Sequence, residues 1–251
     1  MKLKIWGYAL RLSFFVIALF VLSGCEKDSF CNCLQSTGSE TSETRMLPDF
    51  TSVEMNQNVD VIVRKGPLNM ATVTAGKKLL DGISTKVENG KLYISNQNKC
   101  NWLRDYKNKF TVEVQYRELY FLTTRGSGNF NCADTLTSSE FQVDSWNGSG
   151  TINLLLNCNE VRLKLHTGPA DINAAGTADV LYLYTAGNGF LRTAALVSDY
   201  AYVTTKSTGD TEVHPVKELE AIIEYQGDVY YKGNPQVIST DITGSGQLIR
   251  F

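Results

Sequence analysis

The chain has 251 residues, 43% of them hydrophobic, with 24 basic and 26 acidic side chains. That is ample for a buried core and leaves no surplus of positive charge. The first 24 residues hold three basic side chains and no acidic one, so the remainder carries 21 against 26, a net charge of −5, which excludes a nucleic-acid partner held by phosphate attraction.

In chain order, the first element is a secretory signal over residues 1–24: Lys2, Lys4 and Arg11, then the apolar run Leu12 to Leu22, then small residues. The run is too short to span a bilayer, which needs ~20 residues. It ends in Leu22-Ser23-Gly24-Cys25, which closely resembles the bacterial lipobox. The resemblance implies that Cys25 is acylated and becomes the mature N-terminus, so that a lipid anchor holds the protein to a membrane. Glu26, Lys27 and Asp28 resemble the signal that sends lipoproteins of Bacteroidota to the cell surface, although a periplasm-facing place stays open.

Residues 25–46 read as the lipidated Cys and a flexible tether, being polar, small and nearly free of apolar side chains. The remaining cysteines, Cys31, Cys33, Cys100, Cys132 and Cys158, match no zinc spacing. One or two disulfides plus buried thiols are expected, with connectivity open.

Residues 47–251 read as strand after strand. Val59, Val61 and Val63 alternate with polar positions, as do Leu92 and Ile94, and then Phe110, Val112, Val114 and Tyr116. The segment from Asn96 to Asn108 is irregular and is expected to project. From there a Gly turn recurs: Gly126-Ser127-Gly128, Gly148-Ser149-Gly150, Gly168-Pro169-Ala170, Gly187-Asn188-Gly189, Thr208-Gly209, Gln226-Gly227 and Gly244-Ser245-Gly246. The spacings of about twenty residues mark a stack of coils. Residues twenty apart should share a column, and Phe141, Val161, Leu181, Ala201 and Ala221 do so, as do Val143, Leu163, Leu183, Val203 and Ile223. A third column after the turns, Phe130, Ile152, Ile172, Leu191, Val229 and Leu248, is broken at Thr211. The fold expected is an all-β, parallel, right-handed β-helix-like solenoid, with glycines at the corners for positive φ and close backbone approach.

Leu47-Pro48-Asp49-Phe50, Val59-Asp60-Val61, the first Gly-Ser-Gly turn, and the close Gly227-Asp228-Val229-Tyr230-Tyr231-Lys232-Gly233-Asn234-Pro235 together resemble the auto-transporter adhesin head GIN domain family. The resemblance covers residues 45 to 251 and implies a β-helix-like fold and a secreted or lipid-anchored adhesin, with no catalytic residues to carry over. Gly168-Pro169-Ala170 and Phe190 depart from the usual repeat, where Gly and an Asp-like residue are typical.

Two candidate sites follow from the coil geometry. Asp210 and Asp228 come directly after their turns and would stack ~4.8 Å apart, near the ~5 to 5.5 Å of a retaining glycosidase pair. The competing reading is that such side chains bond the local backbone. The second candidate is an outward strip: with Leu181 and Leu183 inward, Tyr182, Tyr184, Tyr200 and Tyr202 face out beside Arg162 and Lys164. That strip suits a polysaccharide or a surface protein, or else forms a ladder that merely covers the sheet. His166 reads as a solvated side chain. The repeated Gly and Asp do not supply the 6 to 8 oxygens of a calcium site, and no metal or cofactor is expected. The preferred function is non-enzymatic binding outside the cell. A carbohydrate-active enzyme using Asp210 and Asp228 and a passive envelope scaffold are the alternatives.

Overall fold

The computed structural model describes residues 36–98 and 110–251. The expected signal peptide, Cys25, Cys31, Cys33, Cys100 and most of the expected projecting segment lie outside the described residues. Those described form β1 (Glu40–Met46), β2 (Ser52–Gln57), β3 (Asp60–Lys65), β4 (Met70–Gly76), a 3₁₀ turn at Leu80–Gly82, β5 (Ile83–Glu88), β6 (Lys91–Asn96), β7 (Thr111–Tyr116), β8 (Phe121–Gly126) and β9 (Phe130–Cys132). Then come β10 (Leu136–Trp146), β11 (Thr151–Thr167), β12 (Asp171–Thr185), β13 (Leu191–Thr205), β14 (Thr211–Ile223), β15 (Val229–Tyr231), β16 (Val237–Ile242) and β17 (Leu248–Arg250). No α-helix occurs among the described residues, and hence none long and apolar enough to cross a membrane.

The architecture is the expected β-solenoid with coils about twenty residues apart. The long strands bend. In β11 the buried side chains are Ile152, Leu154, Leu156 and Cys158, and then, after a change of phase at Asn159-Glu160, Val161, Leu163 and Leu165. A break in the period of two is the mark of a corner, so the coil has a first and a second leg whose inward side chains meet in one core, and in β13 the period breaks twice, between Thr193 and Leu196 and between Ser198 and Ala201. The first leg follows the Gly turn and the second precedes the next one.

Parallel pairing stacks the coils in register. Phe141, Val161, Leu181 and Ala201 lie in one column, and Phe130, Ile152, Ile172, Leu191, Thr211, Val229 and Leu248 lie in another. The expected columns end differently, however. Ala201 pairs with Leu219 and Val203 with Ala221, so Ile223 falls instead beside Thr205. The coil between β13 and β14 is two residues shorter, and an even shift keeps every side chain on its own side of the sheet. Leu219, Ala221 and Ile223 are all fully buried, which explains why the wrong alignment also looked apolar.

The turn glycines serve close approach more than unusual dihedrals. Among them only Gly168 has positive φ, 89°. A Cβ at Gly189 would overlap the carbonyl oxygen of Ala170, one at Gly209 that of Gly189, and one at Gly227 that of Gly209. Coils this close leave no room for a methyl group at that column.

The first coils depart from chain order. In the second leg the strands run β5–β6–β2–β8–β10, and in the first leg β1–β4–β7–β3–β9. The coil of β6 and β7 thus lies outside that of β2 and β3, and antiparallel β1 and β5 close this end. β1 corrects the expected tether, whose last seven residues are a strand. It forms without burial, by hydroxyl pairs between Ser42 and Thr74, 2.8 Å, and between Thr44 and Thr72, 3.2 Å. The Arg45 guanidinium then donates to the carbonyls of Ile83 and Leu80, fastening β1 to the 3₁₀ turn.

Gly209→Ala is expected to lower unfolding free energy by about 2 kcal/mol, the usual cost of overpacking, measured by urea denaturation. A loss below ~0.5 kcal/mol, the scale of an ordinary surface change, would contradict close approach as the reason for these glycines.

Candidate functional site

The two candidate sites prove to be built differently. Asp210 and Asp228 occupy the same column on successive coils, but their carboxylates are engaged with backbone. The Asp228 amide donates to Asp210 Oδ1 at 3.0 Å, and the Gln247 amide donates to Asp228 Oδ1 at 2.8 Å. The same device runs down the stack: the Asn129 amide donates to Asp60, the Thr151 amide to Asn129 and the Phe190 amide to Asp171. Each of these side chains accepts from the turn of the following coil, so the column is a staple between coils; at Thr151 it is absent, and the Asp171 amide donates to the Gly150 carbonyl. At Phe190 the staple is missing, since that ring can accept nothing; the Arg192 guanidinium instead lies 4.7 Å from its centre.

On the second leg the outward strip forms as the parity demands. Arg162, Tyr182 and Tyr202 pair across β11, β12 and β13, as do Lys164 and Tyr184. The Tyr182 and Tyr202 rings stack at 5.2 Å between centroids with 21° between planes. The Arg162 guanidinium lies 5.4 Å from the Tyr182 centre on the neighbouring coil. Ring faces therefore cover one another, and edges and hydroxyls are what solvent meets. Burial pushes the Tyr202 hydroxyl above its ordinary pKa, and Glu218 adds to the shift. Tyr200, two residues along β13 from Tyr202 and in register with Val180 and Glu218, has the Lys217 ammonium 5.5 Å from its ring centre.

A second ladder runs beside the first. Trp146 stacks on His166 at 3.9 Å and 6°, and His166 meets Tyr184 at 5.6 Å. His166 Nε2 lies 3.0 Å from Asp144 Oδ1, so this histidine is half-buried and bonded where a solvated one was expected. Trp146 and His166 are twenty residues apart, the coil spacing, although the register slips so that the Trp146 backbone pairs with Thr167. Arg162 is also ion-paired with Glu140 and Glu160, whereas Lys164 has no ion pair among the described residues.

The first leg holds a shallow groove of about 450 Å³ that sequence reasoning missed. Its floor is Ala174, Ala175, Ala194 and Ala195, and Arg192 and Glu212 stand at its edge. It exists because small side chains follow Leu155 in the column and because the register slips between Asn173 and Ala175 against β13. The Asn153 and Asn173 amides form a ladder along it, each donating to the Asn one coil earlier at 2.8 Å. Cys132 and Cys158 are free thiols with raised pKa, Cys132 pushed up to about 11 by burial. Among the described residues no cluster of three metal-binding side chains occurs.

The family model described as "Putative auto-transporter adhesin, head GIN domain" matches residues 49–235. The chain belongs to this family. A putative adhesin from Bacteroides fragilis is similar in structure, with a TM-score of 0.78 at 18% identity over 85% of this chain and 97% of that one. A putative adhesin from Parabacteroides distasonis has a TM-score of 0.68 at 19% identity, covering 85% and 98%. A protein from the same species described as a putative lipid binding protein has 0.63 at 21%, covering 86% and 98%. At such identities the likeness speaks for the fold. No match is found among curated proteins.

The staple is testable in both directions. Asp210→Ala is expected to cost about 1.5 kcal/mol, the lower end for a hydrogen bond to a charged acceptor, while Phe190→Asn, which restores an acceptor, should raise the melting temperature. Calorimetry that found Phe190→Asn destabilising would contradict the staple.

Proposed function

We propose that the protein is a lipid-anchored, cell-surface adhesin that binds a polysaccharide or a surface protein without catalysis. The observation that carries this reading is the outward second-leg surface of Tyr182, Tyr184, Tyr200, Tyr202, Arg162 and Lys164. It is flat, held rigid by stacking, and rich in hydroxyl, guanidinium and ammonium donors around apolar ring edges. Rigid aromatic side chains lose little conformational freedom on contact, and a surface spanning successive coils suits an extended partner better than a small molecule. The lipobox-like Leu22-Ser23-Gly24-Cys25 and membership of a family named for adhesion support anchoring and an envelope location.

The alternative enzymatic use of Asp210 and Asp228 is disfavoured because each carboxylate already accepts a backbone amide. The Tyr230 hydroxyl also donates to Asp228 Oδ2 at 3.3 Å, as befits a staple between coils.

A double variant, Tyr182→Ser with Tyr202→Ser, is expected to weaken binding of the full chain to an immobilised polysaccharide panel by at least about tenfold, or ~1.4 kcal/mol. Unchanged binding to every polysaccharide bound by the unaltered protein would contradict the second-leg surface as the contact. If Ala175→Trp removed that binding instead, the groove on the first leg would be the contact.

A further inference from the structure

In the regular part of the stack, the chain rounds the corner from first leg to second and rises by one strand. β3 breaks that rule. It lies between β7 and β9 in the first leg, but its chain turns back at Gly66 into β4, which runs antiparallel beside β7. In the second leg β8 lies between β2 and β10. Residues 117–120, which join β7 to β8, therefore pass over the end of β3 and climb two strands where a corner elsewhere climbs one. One corner is missing from the stack, and a pocket of about 140 Å³ stands in its place. It is bounded by Lys65 at the end of β3, by the crossing from Tyr116 to Tyr120, and by Thr137 to Ser139 of β10.

The lining is polar. Tyr116, Thr137, Ser138 and Ser139 bring hydroxyls to it, and Lys65 and Arg117 bring positive charge. Tyr116 is only 2% exposed, and neither its hydroxyl nor that of Ser138 has a hydrogen-bond partner among the described residues, although both atoms are buried. An unpaired buried hydroxyl destabilises the fold, and Phe at position 116 would fill the same space without it. Thr124, Ser145, Thr185 and Thr205 also bury unpaired hydroxyls, but they share one column before the turns. Tyr116 and Ser138 border open space instead. Burial above all, with Cys132 and Asp134 adding to it, pushes the Tyr116 phenol above its ordinary pKa, so it stays a donor. The nearby acids are already engaged. Asp134 accepts the Lys65 amide, Glu118 accepts the Tyr120 hydroxyl at 3.0 Å, and Asp49 accepts the Arg117 guanidinium at 3.3 Å. The Lys65 ammonium has no ion pair among the described residues.

We propose that this pocket binds a tetrahedral oxyanion, sulfate or phosphate, to which the Tyr116 and Ser138 hydroxyls donate while Lys65 and Arg117 balance its charge. Donors reach the pocket from three separate segments, β3, the crossing and β10, so their bonds converge from different directions. Four oxygens in a tetrahedron can meet them all, which a planar carboxylate cannot. Bonds to an anion are also the strongest a hydroxyl can donate, and they would offset the two unpaired groups that the folded chain otherwise carries. The pocket has room for about four to five waters, hence for one such group and little more. The anion is therefore either a free ion or an ester whose saccharide stays outside. The pocket shares no residue with the second-leg surface and does not rest on the adhesin reading.

Isothermal titration calorimetry of the full chain tests this, with sodium sulfate, sodium phosphate, galactose 6-sulfate and galactose each titrated at constant ionic strength. Saturable one-to-one binding of at least one of the three anions is expected, and none of galactose. Tyr116→Phe, which keeps the ring, should weaken that binding at least about tenfold. In chloride buffer alone the same variant should melt at a higher temperature, because an unpaired hydroxyl is gone. Tighter binding of galactose 6-sulfate than of either free ion would assign the site to a sulfated saccharide, and the reverse to the free ion. Binding that Tyr116→Phe leaves unchanged, an adventitious ion only, would overturn the proposal. So would a lack of binding by all three anions, or a melting temperature that Tyr116→Phe lowers.

Discussion

Everything in this molecule depends on keeping successive coils in register at strand spacing. Neither leg of a coil can bury its inward side chains alone; Val161 and Leu163 need Phe141 and Val143 on one side and Leu181 and Leu183 on the other. Each fully buried side chain of this size contributes roughly 1.5–3 kcal/mol, but only while its neighbours stay in column. The turn chemistry enforces that condition. Glycines admit the carbonyl of the coil below, and Asp60, Asn129, Asp171, Asp210 and Asp228 each hold the amide of the coil that follows. A carboxylate pair that resembles catalytic machinery is therefore part of the register mechanism.

The repeat was legible because its causes are local and periodic. Gly at one column, an apolar side chain at three others and strict alternation between them leave a mark every twenty residues, and the outward Tyr parity follows from it. What the sequence could not show involves choices among equivalent partners. The strands β2 and β6 alternate in the same way, and nothing in their residues says that the coil of β6 and β7 stacks outside the earlier one. The two-residue shortening before Leu219 was invisible because Ala221 and Ile223 fit either column. β1 was missed because Ser and Thr side chains pair across strands without being apolar. A histidine on an outward phase has no feature that distinguishes a solvated ring from one, like His166, placed between Trp146 and Tyr184.

The same regularity that builds the core determines what the outside can offer. Columns of outward side chains twenty residues apart become ladders, so aromatic rings on the second leg cover one another's faces and present hydroxyls and edges. Recognition there would proceed by hydrogen bonding along an extended surface, not by a sugar stacked flat on an exposed ring. The two ends of the described stack also differ: polar antiparallel β1 and β5 lie at one, and half-exposed Ile238 and Ile242 of β16 at the other.

The account's central claim is that stability resides between coils, in columns and staples, with each coil an interchangeable unit. Deleting residues 172–190 removes one whole coil and brings Asp171 to the place of Phe190, where its carboxylate can take up the missing staple. The account predicts a folded, β-rich protein that unfolds cooperatively in urea with a smaller m-value, in proportion to the surface removed. A deletion variant that was unfolded or non-cooperative in that titration would contradict it.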